Sequence, residues 1–362
     1  DSPEFRKLCV EPDLPLWDGG PLSPGLALLL VSEQGLGDAV QFSRYARYLR
    51  DCGVAIQLCV PECLVSLLEA SDLASAVIPP TAAPSVQEGY WLPLMSLPLH
   101  LGVRSDRPLI SAPYLSVEPE RVRFWRDQLE ERDKPVVAIN WQGNPQAEIS
   151  LLQGRSLPLE LFRPLVEAFD FNLVSLQKGP GSEQLLSCSF RDRFVDCQSC
   201  VDAVWDFQEN AAILAGCDLV ITSDTMIAHL AAALGVRTWL LLHHLPDWRW
   251  GLQGDSSFWY PSMRLFRQSV QGDWSGVIEQ VREAMEEILG FQRKPPTPSG
   301  FLAAFWAWVE QTPSSVQTSE LQQVHGSVPA SDLAQHPSIQ DPADSSSDPQ
   351  GAVELPELLD LQ

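Results

Sequence analysis

A chain of 362 residues is too long for one ordinary compact core and asks for two domains. Its apolar fraction of 45% is that of a globular protein, and no apolar run reaches the roughly 18–20 residues that span a bilayer. A net charge of -23 repels polyanions and argues against general nucleic-acid binding. It still leaves room for a small phosphorylated ligand held by local cations and helix N-termini.

The first residues, Asp1-Ser2-Pro3-Glu4, show no basic region followed by an apolar stretch. A secretory leader is therefore not expected, and a cytoplasmic location is. Residues 26–31 read as a buried strand, followed by a glycine turn and a helix over 38–50. A second strand at 55–60 and a helix at 62–69 follow, then short extended pieces at 76–78 and 91–94. Pro119 opens a helix over 119–132. A second series begins with a strand at 136–141. It continues as helix 159–169 and strand 172–176, helix 203–215 and strand 219–222, then helix 226–234 and strand 238–242. Helix 274–289 carries Val277, Ile278, Val281, Met285, Ile288 and Leu289 on one face and should pack on a lobe.

Strands alternating with helices imply parallel sheets covered on both faces. The break near 131–135 divides the chain into a lobe over 1–133 and a lobe over 134–290. A short apolar segment, 291–310, could form a docking helix around 301–309. Residues 311–362 are rich in Ser, Pro, Gln and Asp and hold no Lys or Arg, as expected of a disordered acidic tail. Its last apolar residues, 353–361, are a candidate for binding a protein partner. The eight cysteines are scattered, and only Cys197 and Cys200 have metal or redox spacing. With no second pair and no nearby histidine, reduced thiols and no metal site are expected.

Three segments at strand ends carry candidate chemistry. Glu33-Gln34-Gly35-Leu36-Gly37-Asp38 follows a buried strand and opens a helix. A dinucleotide fingerprint is the rival reading, with Glu62 as its ribose acid, but Val40 stands where its third glycine belongs. Asp38 is either an ordinary first-turn acid or a general base aimed beyond the strand ends. Ser223-Asp224-Thr225 begins the helix that carries His229. It is either a diphosphate cradle or a plain N-cap with a packed histidine, and spacing does not choose. Lys178 and Gly179, in Gln177-Lys178-Gly179-Pro180-Gly181, could reach a leaving phosphate, or could be a solvated turn. Asn140, Trp141 and Gly143 mark the equivalent strand end at the start of the second lobe, and Arg155 follows. The cluster Asp247-Trp248-Arg249-Trp250 with Trp259-Tyr260 suits sugar or base stacking, or loop packing.

The ordered segments SEQGLGDAVQFSRY, LPLMSLPLHLG, INWQGNP, RSLPLELF, VSLQKGPG, DLVITSDTMIAHLAAALG, PDWRW and WYPSMRLFRQ resemble the glycosyltransferase-like domain often found downstream of tetratricopeptide repeats in bacteria. That domain is similar to heptosyltransferases and, more distantly, to the O-linked N-acetylglucosamine transferase catalytic region. The resemblance spans roughly residues 14–289. It implies a GT-B architecture of two facing Rossmann-like lobes with a cleft between them, no essential metal or cofactor, and inversion at the anomeric carbon. A nucleotide sugar would be co-substrate and donor, and a glycan, a lipid-linked saccharide or a protein the acceptor. It further implies Asp38 as base and Glu33, Gln34, Gly35 and Gly37 as an acceptor-side loop. Asn140, Trp141, Gly143, Arg155, Lys178, Gly179, Asp224, Thr225 and His229 fall on the donor side. Two departures stand out: Ala39 where Thr is common, and no basic residue between Asn144 and Arg155. A non-catalytic sugar- or nucleotide-binding module and a nucleotide-sugar epimerase are the competing readings.

Overall fold

The computed structural model describes residues 8–22, 26–104, 107–110, 113–129, 134–150 and 154–287. The first part runs β1 (Leu28–Val31), α1 (Leu36–Phe42), α2 (Arg44–Asp51), β2 (Ile56–Cys59), α3 (Glu62–Ala70), β3 (Ala76–Ile78), β4 (Tyr90–Pro93), α4 (Leu97–His100) and α5 (Pro119–Leu129). The second runs β5 (Val136–Asn140), α6 (Pro145–Ser150), α7 (Arg163–Ala168), β6 (Asn172–Ser175), α8 (Gln198–Ala203), α9 (Phe207–Ala215) and β7 (Leu219–Ser223). It ends with α10 (Met226–Ala233), β8 (Thr238–Leu242), β9 (Met263–Arg267) and α11 (Trp274–Glu287).

The strands form two sheets, in the orders β3-β2-β1-β4 and β6-β5-β7-β8-β9. Every paired neighbour is parallel, so within a sheet all strands end on one edge. The central strands β1, β5, β7 and β8 are buried at every residue, as a parallel sheet covered on both faces requires. One apolar cluster joins Leu28, Leu30 and Leu58 of the first sheet to Ala138, Val220 and Leu240 of the second. It does so through α1, α3, α9 and α10. A separate cluster sets Val137, Ile221, Trp239, Leu241 and Phe266 against Val277, Ile278, Val281 and Met285 of α11, as its amphipathic pattern requires.

Several boundaries differ from the sequence reading. The helix expected over 38–50 starts at Leu36 and breaks at Ser43. There the Ser43 hydroxyl donates to the Val40 carbonyl (2.8 Å) and Arg44 Nε to the Gln41 carbonyl (2.8 Å), competing with the helical amides. The helix expected from 203 begins at Phe207, because Asp206 caps it by accepting from the Glu209 amide. Residues 198–203 form the separate α8. Residues 159–162 wind as a 3-10 turn before α7. Strand β9 and helix α6 were not anticipated. Residues 130–133, where the chain leaves the first part for the second, lie outside the described residues. So do the apolar segment at 301–309 and the acidic tail from 311.

Candidate functional site

The loop from β1 into α1 places Asp38 in the first helical turn. Gln34 holds the left-handed conformation that turns the chain (φ 63°), and Gly35 caps the helix. The Gly35 amide donates to Asp38 Oδ2 (2.8 Å), while Asp38 Oδ1 forms an ion pair with Arg249 from the second half of the chain. Arg249 also pairs with Asp247 (2.9 Å) and donates through Nε to Gln41 (2.7 Å), so two carboxylates share one guanidinium. Burial raises the Asp38 pKa above the ordinary carboxylate value, against the pull of Arg249 and the Gly35 amide. Glu33 pairs by backbone with Leu8 in an isolated antiparallel bridge.

Gly37 is one of the points where the two halves touch. A Cβ there would meet His229 Cδ2 at 3.0 Å and the Met226 backbone at 3.6 Å, so its lack of a side chain lets α1 lie on α10. At the start of α10, Asp224 is buried and accepts from Trp250 Nε1 (2.9 Å). Its surroundings push its pKa up to about 6, chiefly by desolvation. His229 is buried one turn on, stacked on Trp250 (5.4 Å) and bonded through Nδ1 to the Tyr260 hydroxyl (2.9 Å). Desolvation, then Arg249 and Arg44, hold it well below the usual histidine range and therefore neutral at pH 7. Arg44 is itself buried, donating to the carbonyls of Gln41 and Trp259 (2.6 Å to the latter) with its guanidinium over the Tyr260 ring (4.4 Å).

Thr225 donates to Asn140 Oδ1 (3.1 Å), tying the β7 exit to the β5 exit. Asn140 Nδ2 donates in turn to Gln177 Oε1 (3.0 Å), which also accepts from the amides of Trp141 and Gln142. Gln177 thus organises the loop for which the sequence pointed to Lys178. The Lys178 ammonium instead donates to the carbonyls of Val201 (2.6 Å) and Asp202 (3.3 Å) at the end of α8, 5.8 Å from the Trp205 ring. Burial lowers its pKa. Gly179 adopts a left-handed turn (φ 65°). Arg155 donates to the Asp224 carbonyl (3.0 Å), pairs with Glu148 of α6 (3.6 Å), and lies where a side chain on Gly143 would be. The segment between Asn144 and Arg155 therefore brings a carboxylate to Arg155.

Along the C-terminal rim of the second sheet, Trp141 follows β5, Ser223 ends β7 and Gln268 follows β9. Trp141 Nε1, Ser223 Oγ and Gln268 Nε2 are buried without a hydrogen-bond partner among the described residues. The Gln268 amide cannot turn over to hide its nitrogen, because Oε1 accepts from the amides of His244 (3.2 Å) and Gly272 (2.9 Å). Buried polar atoms left without a partner are rare in a folded interior and mark these strand exits as a place for further partners. Among the described residues no group of three or more His, Cys, Asp or Glu is placed to hold a metal ion, and no helix is long and apolar enough to cross a membrane. Cys197 and Cys200 are free thiols, Cys197 donating to the Gln128 carbonyl (3.4 Å).

Of the sequence candidates, Asp38, Gly37, Asp224, Thr225, His229, Asn140 and Arg155 fall into one connected region. Lys178 points to α8. Arg249, Gln41, Gln177, Trp250 and Tyr260 complete the region. Arg249, Trp250 and Gln41 lay inside segments that carry the resemblance, but none was singled out as a site residue.

No protein-family model matches the chain. A curated relative, Protein FlbA of Caulobacter vibrioides, is 26% identical over 320 residues. The match covers 80% of this chain and 50% of FlbA, so the chain spans about half the length of that relative. Among solved structures, the glycosyl transferase family 9 protein of Veillonella parvula matches with a TM-score of 0.50 at 12% identity, over 72% of this chain and 96% of that one. The E. coli ADP-heptose LPS heptosyltransferase II matches with a TM-score of 0.47 at 15% identity, over 72% and 99%. The Veillonella likeness is one of fold: an α/β chain with two parallel sheets.

Proposed function

We propose that the protein is a glycosyltransferase of GT-B architecture that moves a sugar, with inversion and without an essential metal, from a nucleotide-sugar donor to an acceptor hydroxyl. The observation that carries the reading is the link between the two sheets: Asp38, from the first, is ion-paired to Arg249, whose neighbour Trp250 donates to Asp224 before α10 of the second, while Gly37 lies against His229 of α10. Ligands of open parallel sheets bind beyond the strand ends, and both groups lie there. The fold shared with a family 9 glycosyl transferase supports the same assignment.

In this reading Asp38 takes the proton from the acceptor hydroxyl as its oxygen attacks the anomeric carbon, and the nucleoside diphosphate leaves with the bonding electrons. A carboxylate raised by burial is a better base near neutrality than a solvated one. The amides at the start of α10 and the Thr225 hydroxyl face the departing diphosphate, and Asp224 holds donor hydroxyls. The donor-rich rim of Trp141, Ser223 and Gln268 suits an oxygen-rich nucleotide. A second reading, a binding module without turnover, is favoured by one observation: Asp38 is already engaged by Arg249 and the Gly35 amide.

The test is a thermal-shift screen with ADP-, UDP-, GDP- and dTDP-sugars, with and without EDTA, followed by assay of nucleoside diphosphate release across acceptors. Stabilisation by one nucleotide class that EDTA leaves unchanged, with release that Asp38→Asn abolishes, is the expected result. Binding without release would favour the module. An Asp38→Asn protein with full transfer rate would remove Asp38 as the base.

A further inference from the structure

We propose that Arg249 is the cation that receives the donor's diphosphate, and that it leaves Asp38 to do so. The inference rests on the glycosyltransferase reading and identifies a residue that reading does not use.

Four cations in or beside this region differ in what holds them. Lys178 is tied to two carbonyls at the end of α8. Arg44 is fixed by backbone carbonyls and aromatic rings. Arg155 donates to the Asp224 carbonyl and pairs with Glu148, next to which its side chain is packed. Arg249 is bound mainly by two carboxylates, Asp38 and Asp247, and by the Gln41 amide oxygen. A guanidinium forked between carboxylates presents the same two-pronged donor face that a phosphate takes. An incoming diphosphate can therefore replace Asp38 charge for charge, whereas it would have to break neutral backbone bonds to free Lys178 or Arg44.

Position supports the exchange. Arg249 belongs to the turn Trp248–Trp250, whose Trp250 donates to Asp224 and stacks on His229 at the head of α10. The charge of Arg249 is felt at Asp38, Asp224 and His229 alike. The guanidinium is enclosed between the Trp248 ring (4.7 Å) and the Phe42 ring (5.6 Å), in a poorly solvated setting where charge–charge interactions are strong. The consequence is coupling. While Arg249 is on Asp38, the carboxylate is neutralised and a poor base. Once Arg249 turns to the diphosphate, Asp38 keeps the Gly35 amide as its anchor and loses its counter-charge, so the base is armed by the donor.

The experiment is calorimetric titration of wild type, Asp38→Asn, Arg249→Gln, Arg249→Lys and Lys178→Gln with the nucleoside diphosphate (ADP, UDP, GDP or dTDP) of the nucleotide sugar that stabilises wild type in the screen. Asp38→Asn removes the competing anion and should bind about tenfold more tightly, because a neutral amide holds Arg249 less firmly. Arg249→Gln should bind at least about tenfold more weakly, Arg249→Lys should recover part of the loss, and Lys178→Gln should stay within about threefold of wild type. The proposal is overturned if Arg249→Gln binds like wild type while Lys178→Gln loses binding, or if Asp38→Asn weakens binding. Should Arg249→Gln fail to fold, the direction of the Asp38→Asn change still decides. Wild type that binds no nucleoside diphosphate overturns the glycosyltransferase reading and this inference together; wild-type binding that ignores Arg249 overturns this inference alone.

Discussion

Asp224 makes a prediction that runs against the usual effect of altering a site. Its carboxyl is displaced from 3.8 to about 6, mainly because its anion is desolvated at the head of α10. At 1.36 kcal/mol per pH unit, the ionised form is held in the native state at a cost of about 3 kcal/mol. Between pH 3.8 and about 6 the native state binds more protons at this group than the unfolded chain does. Its contribution is therefore full below the unfolded value and is lost as pH rises through the folded one. Asp224→Asn keeps an oxygen to accept from Trp250 Nε1 and removes the charge. The variant should be about 3 kcal/mol more stable than wild type at pH 8 and equal to it within about 0.5 kcal/mol near pH 4. Urea unfolding followed by tryptophan fluorescence from pH 4 to 8 gives the difference directly, since other carboxylates contribute to both proteins and cancel. The same variant should lose donor binding. A difference that does not change with pH, or a variant less stable at pH 8, would mean that the Asp224 anion is well paired in the native protein, and the reasoning would fail.

Gly37→Ala sets a methyl against His229 and the Met226 backbone; it should cost about 1–2 kcal/mol and weaken donor binding, read by urea titration and calorimetry. Trp141→Phe deletes a buried N–H that has no partner among the described residues; the free protein should match wild type or gain up to about 1 kcal/mol, while donor affinity falls. Arg44→Ala opens a cavity under the Tyr260 ring and strips the Trp259 carbonyl of its donor, so unfolding should become easier by about 3 kcal/mol, checked as a fall in Tm.

What the sequence made legible was local. A buried strand, a turn of glycine or small polar residues and an apolar helix lie within about fifteen residues of one another, so Glu33–Asp38 and Ser223–His229 could each be placed at a strand exit. Strand β9 escaped because Arg264 and Arg267 interrupt the apolar pattern of Met263, Leu265 and Phe266. The partner of Asp38 escaped because Arg249 is 211 residues away and nothing in its PDWRW segment says which carboxylate it meets. At the β6 exit, charge drew attention to Lys178, but a buried strand end needs its loop amides satisfied first. The neutral Gln177, with an acceptor and a donor on one side chain, does that where an ammonium cannot.

What sequence could not show at this junction is how its groups are paired, and that bears on function. Asp38, Gln41, Arg44, Asp224, His229 and Arg249 are charged or polar groups withdrawn from water where α1 meets α10, each held by partners distant in sequence. Apolar residues of similar volume would close that junction with less desolvation. The junction instead keeps a raised carboxyl in Asp224, a neutral histidine in His229 and a guanidinium shared by two acids. A cost of this kind, concentrated at the strand exits of two parallel sheets, is what a ligand site imposes on a fold. It is also why replacing Asp224 should strengthen the protein while weakening what it binds.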